Sequence, residues 1–199
     1  MKTVSLSGSL RESVGKKGAA DLRRAGRVPC VLYGGDEQIH FHVAEVALNK
    51  LVYSPDVYKI AVELGDKTIE AVIQDLQWHP VTDRILHVDM LQLVAGKEVK
   101  IDMPVHLEGN SIGVRNGGKL RQAFRRLSLR GLPEAFPDAV AVDISKLKIG
   151  QSIRVRDLEI EGVEFLNPQD AVVVGVKTAR GVVADDDDEE EEGEAEAEA

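Results

Sequence analysis

The chain has 199 residues, with 34 acidic against 25 basic side chains and a formal charge of −9. That balance argues against a polyanionic partner, but the charge is segmented: residues 185–199 hold eleven acids and no base. The remainder carries +2, divided as +5 over residues 1–34, −5 over 35–100 and +2 over 101–184. A single cysteine, Cys30, excludes an internal disulfide and suits a reducing compartment. The start MKTVSLSGSLRES lacks the apolar core of a secretory signal, and no run approaches the ~18 apolar residues of a membrane span. A soluble cytoplasmic protein is expected.

In chain order, Val4 to Ser7 alternates as a strand, and GKKGAADLRRAG reads as a short basic helix stopped by Gly26. Pro29 to Tyr33 reads as a buried strand that ends at Gly34-Gly35. Ile39, Phe41 and Val43 alternate as a strand, and Ala44 to Tyr53 carries apolar residues at helical spacing. Strands Tyr58–Leu64 and Thr68–Leu76 flank Gly65-Asp66, and another runs through Ile85 to Leu93. After a polar joint at 94–98, short alternations at Val99–Asp102, Val140–Ile144, Ile153–Leu158 and Val172–Val176 predict an all-β sandwich or barrel. The acidic end, 180–199, has a composition that cannot bury enough apolar surface to order itself and is expected to be disordered.

Three features bear on function. At 100° per residue, Lys16, Arg23 and Arg27 share one band, with Lys17 and Arg24 beside it. Ala19, Leu22 and Gly26 form a separate docking arc. The plain alternative is a solvated surface helix, yet only Asp21 offers these cations a local ion pair, and guanidiniums suit bidentate phosphate contacts. The second feature is Gln74 to Pro80 with His87-Val88-Asp89. On extended chain Gln77 and His79 share one side, as do His87 and Asp89, and an amide, an imidazole and a carboxylate together can read base edges or 2′-hydroxyls. Trp78 and Tyr33 are candidates to stack on bases. Taken singly, His-x-Asp is more often a structural pair. The third feature is Arg115 to Arg130, six bases without an acid, which reads equally as an exposed basic strand pair or as a second anion contact.

Other chemistries find little support. His40, His42, His79 and His87 lack metal-ligand spacing, and one cysteine gives no CxxC. Gly113 to Lys119 fits G-x-x-x-x-G-K, but Leu120 stands where a Ser or Thr would bind magnesium, so a glycine-rich turn is the better reading. No nucleophile elbow or Cys–His pair is present, so no enzyme and no cofactor are expected.

Arg11-Glu12, GKKGAADLRRAGRVPCVLYGG, QDLQWHP and ILHVDML resemble the bacterial large-subunit ribosomal proteins that bind 5S ribosomal RNA. The later stretches VKIDMPVHLEGNSIGVRNGGKL and AVDISKLKIGQSIRVRDLEI resemble the added domain of the long form, the general stress protein CTC type. The resemblance covers about residues 1–178. It implies a mainly β chain: an N-terminal six-stranded-type barrel with flanking short helices over 1–94, a second mostly β domain over 99–179, and the tail. By motif, the family's RNA-contacting positions fall on Arg11, Lys16, Arg23, Tyr33, Gln77, His87 and Asp89. Lys17, Arg24 and Arg27 join them from the helix reading. Asp21 and Trp78 replace residues that are commonly arginine in the family.

The function expected is a structural constituent of the large ribosomal subunit. Its partners are 5S rRNA and neighbouring subunit components, with no membrane, and the free chain is a monomer. The alternative is a stress-related protein-interaction module acting through the second domain and tail.

Overall fold

The computed structural model describes residues 1–178 apart from Asp36 and Asp66; the acidic segment 180–199 lies outside the described residues. Six strands form the first unit: β1 (Lys2–Leu10), β2 (Arg27–Tyr33), β3 (Ile39–Ala44), β4 (Tyr58–Leu64), β5 (Lys67–Trp78) and β6 (Ile85–Gln92). They close into a barrel in the order β1-β3-β2-β6-β5-β4, sealed by parallel pairing of β1 with β4. Closure removes the free edges that an open sheet would expose.

The alternation read from the sequence is what fills this barrel. Leu6, Val28, Cys30, Leu32, Phe41, Val43, Ile60, Val62, Val88 and Met90 are buried in the barrel, while their strand neighbours, apart from the buried Pro29, are more exposed. Gly8 is required by the interior: a Cβ there would lie 2.8 Å from the Phe41 ring. Helix α2 (Glu45–Val52) covers one end with Leu48 and Leu51. Helix α1 (Lys16–Arg24) lies against β2.

Cys30 is fully buried, and burial pushes its thiol up to about 12. A thiol alkylating reagent at pH 8 should therefore leave the native chain unmodified and label it once unfolded, as read by intact mass. Labelling of the folded chain at the unfolded rate would contradict this packing.

The second unit has two sheets, in line with the expected β architecture. One runs in the order β10-β7-β9-β12, from β7 (Val99–Glu108), β9 (Arg126–Gly131), β10 (Val140–Asp143) and β12 (Val163–Phe165). The other runs β11-β13-β8, from β8 (Lys119–Gln122), β11 (Ser152–Arg154) and β13 (Val172–Lys177). Met103, Leu127, Leu129, Val173 and Val174 are buried at their core. Val72 of barrel strand β5 is buried in the same cluster, with Leu91 and Leu93 packed against it, so the barrel wall forms part of the second core. No helix among the described residues is long and apolar enough to cross a membrane.

One local expectation is corrected. The alternation Ile153–Leu158 is not one strand: β11 stops at Arg154 and a single 3-10 turn follows at Val155–Asp157. Asp157 causes this, because its carboxylate accepts the Arg154 backbone N–H at 2.8 Å and folds the chain back. The G-x-x-x-x-G-K segment forms one helical turn, α3 (Ile112–Arg115), then a turn with Gly117 at φ 88° and the start of β8.

Candidate nucleic-acid interface

The site is built on the outer wall of the barrel where β2, β6 and β5 run side by side. Parallel pairing sets Val31 opposite Asp89 and Tyr33 opposite Leu91. Antiparallel pairing sets Gln77 opposite His87 and Asp75 opposite Asp89. Because strand side chains alternate and Val88 and Met90 fill the barrel, His87 and Asp89 must face outward. The structure thus brings Tyr33, Gln77, His87 and Asp89 onto one surface.

Within it, His87 Nδ1 and Asp89 Oδ1 lie 2.6 Å apart, a charge contact in which neither buried atom gains a hydrogen-bond partner. With Nδ1 held against the carboxylate, Nε2 is the ring nitrogen left for a ligand. Burial, then the carboxylates of Asp89 and Asp75, push the Tyr33 phenol above its ordinary value. Tyr33 therefore remains a hydroxyl donor beside a carboxylate acceptor.

Helix α1 lies alongside this wall. Gly26, at φ 71°, ends it, and the Gly26 N–H donates to the Arg23 carbonyl. The docking residues Ala19 and Leu22 are only half-buried, and no residue of the helix is fully buried. Lys16, Lys17 and Arg24 are exposed, with Asp21 3.0 Å from Arg24. Arg23 is half-buried, and its Nε donates to the Leu86 carbonyl at 2.9 Å, tying the helix to β6 one residue before His87.

Several expectations change. Arg27 does not extend the helical face: α1 stops at Arg24, and Arg27 opens β2, where its Nη1 donates to His42 Nδ1 at 3.0 Å. The His42 ring is pushed toward its neutral form by burial and then by Arg27, which suits it as an acceptor. Arg11 sits beneath the helix among Ser13, Gly18, Leu22 and His42, with Nη2 donating to the Ser13 carbonyl at 3.2 Å. It is set apart from the Gln77–His87–Asp89 row.

His79 does not share a face with Gln77. The β5–β6 register shifts between Gln77 and Trp78, β5 ends at Trp78, and His79 Nδ1 accepts the backbone N–H groups of Val81 and Thr82. Trp78 packs on Tyr53, ring centroids 5.8 Å apart and planes at 55°. Of the six cations over Arg115 to Arg130, Arg130 pairs with Glu98 at 2.9 Å; the other five are exposed, with no ion pair among the described residues. No three potential metal ligands come together among the described residues.

Sequence reasoning missed Arg84. It precedes β6 and binds Glu45, the first residue of α2, through two hydrogen bonds of 2.6 and 2.9 Å. The signal available was its place between a turn aspartate and a strand on an otherwise acidic stretch of the chain.

Residues 6–90 match the Ribosomal L25p family and residues 98–180 the C-terminal domain of ribosomal protein TL5. The chain is 43% identical over 185 residues to the large ribosomal subunit protein bL25 of Christiangramia forsetii, covering 92% of this chain and 84% of that protein. It is 41% identical over 194 residues to the bL25 of Phocaeicola vulgatus, covering 92% and 98%. The bL25 of Azobacteroides pseudotrichonymphae is 41% identical over 188 residues, covering 92% and 100%. The chain belongs to the bL25 family. With both matched regions in one chain, it is a long-form bL25 member, and the outward row of β5 and β6, with α1 beside it, lies within the L25p match.

Proposed function

We propose that this bL25-family chain holds 5S ribosomal RNA in the large ribosomal subunit by recognition without chemistry. As a member of a ribosomal protein family it is a structural, non-enzymatic component. The observation that carries the RNA reading is the row Gln77–His87–Asp89, matched across β5 and β6 with Tyr33 on β2 and flanked by the cations of α1. Arg11, Lys16, Lys17, Arg23, Arg24 and Arg27 supply phosphate contacts that set register, and Arg23 also ties the helix to β6. Tyr33, Gln77, His87 and Asp89 offer the mixed donors and acceptors that an RNA minor groove with its 2′-hydroxyls requires. Residues 1–94 carry this face, and 99–179 form the added β domain.

The test is the salt dependence of 5S rRNA binding. Neutralising about four phosphates predicts a slope of log affinity against log salt of roughly −3 to −4. Arg23→Ala should weaken binding and flatten the slope by about one. Unchanged affinity and slope would remove Arg23 from the interface, and a wild-type slope near zero would sink the phosphate reading.

A further inference from the structure

Behind the exposed edge of α1 the structure holds a second concentration of arginines. Arg23 and Arg24 from the last turn of the helix, Arg27 from β2, Arg84 just before β6 and His79 from the β5–β6 turn line one cleft of about 320 Å³, with Glu45 at its side. Two separate stretches of chain, 23–27 and Arg84, thus contribute four arginines to the lining of one concavity. The protein neutralises only part of that charge. Glu45 grips Arg84 and Asp21 pairs with Arg24, whereas Arg23 and Arg27 have no acidic partner among the described residues. What those two have are a backbone carbonyl and a histidine ring. A concave site with excess like charge on planar forks is suited to a tetrahedral oxyanion, which accepts several N–H groups at once.

We propose that this cleft is a phosphate-binding site, taking a backbone phosphate of the RNA that lies across α1, and that Glu45 tempers its affinity. The proposal rests on the RNA reading above and extends that interface past the helix to the β5–β6 turn. Glu45 has two opposed effects: its carboxylate orients Arg84 through the paired hydrogen bonds, and its charge repels the incoming phosphate. The Arg84–Glu45 bridge also joins α2 to β6, and Arg84 Nη2 reaches the Arg23 carbonyl at 3.5 Å. The cleft is consequently in place before any ligand enters.

The two members of the bridge separate a binding role from a structural one. Arg84→Gln should weaken 5S rRNA binding roughly fivefold to tenfold and flatten the salt slope by about one. Glu45→Gln keeps an oxygen for Arg84 to donate to but removes the negative charge, so binding should tighten by roughly twofold to fivefold. Both are measured on the full chain at fixed salt, with melting temperature recorded in parallel. Opposite shifts support the site. Two losses, or two unchanged affinities, reduce the bridge to a structural clamp and overturn the proposal, as does any other pattern. Should the wild-type chain fail to bind 5S rRNA, the reading of the preceding section falls, and the cleft is judged with inorganic phosphate at low ionic strength. Saturable shifts of the Thr82 and Ile85 amide resonances that Arg84→Gln abolishes then support it; their absence overturns it.

Discussion

Replacing His87 with alanine should lower 5S rRNA affinity by about tenfold to a hundredfold while moving the salt slope by less than half a unit. On the proposed reading the imidazole contacts a base edge or a 2′-hydroxyl and not a phosphate, so its loss leaves counterion release intact. Its partner makes the prediction sharper. Asp89 Oδ1 meets only His87 Nδ1, so Asp89→Ala frees the ring to turn and should reproduce most of the same loss. The double variant should then be little worse than either single one, because residues acting as a unit are not additive. Binding of 5S rRNA and of a generic RNA duplex, titrated in parallel across salt, checks this. Equal losses on both RNAs, or additive losses in the double variant, would show that the pair supports the wall without reading the ligand.

Phe41→Ala should cost about 3–5 kcal/mol of folding stability, the usual range for emptying a buried aromatic site. The ring is fully buried in the barrel and occupies the space that Gly8 leaves open. Set against a total stability of about 5–15 kcal/mol for a domain, that is a large share. Phe41→Leu keeps much of the apolar volume and should cost about 1–2 kcal/mol. Urea unfolding followed by circular dichroism measures both. A loss below about 1 kcal/mol for Phe41→Ala would mean that β1 and β3 close onto the vacated space, contrary to the tight approach at Gly8.

The barrel was legible because its strands carry one apolar residue at every second position, as in Ile39-Phe41-Val43, where the partly buried Ile39 leads into buried Phe41 and Val43. Helix α1 was legible because glycine at 26 supplies the left-handed turn that stops it. Composition and spacing do not show where a strand shifts register. The irregularity between Gln77 and Trp78 takes His79 out of the row, and one carboxylate, Asp157, divides an alternation that reads as a single strand. The helical projection also ran past its own stop signal: Arg27 falls at the right angle on a wheel but follows Gly26 on a strand. Arg84 was hidden for a different reason. Its partners, Glu45 and Arg23, lie 39 and 61 residues away in sequence, and only the tertiary fold makes it a neighbour of α1.

Strand β5 has three separate surroundings along twelve residues. Ala71 faces the interior of the barrel, Val72 is sunk in the core of the second unit, and Gln77 stands on the outer polar row. A backbone shared in this way cannot relax for one neighbour without displacing the others. The two units should accordingly melt in a single transition. A truncation that exposes Val72 would be felt at Gln77, five residues along the same rod, as a misaligned groove reader rather than as a missing contact. The added domain then acts as a splint for the barrel wall on which the proposed RNA reading rests.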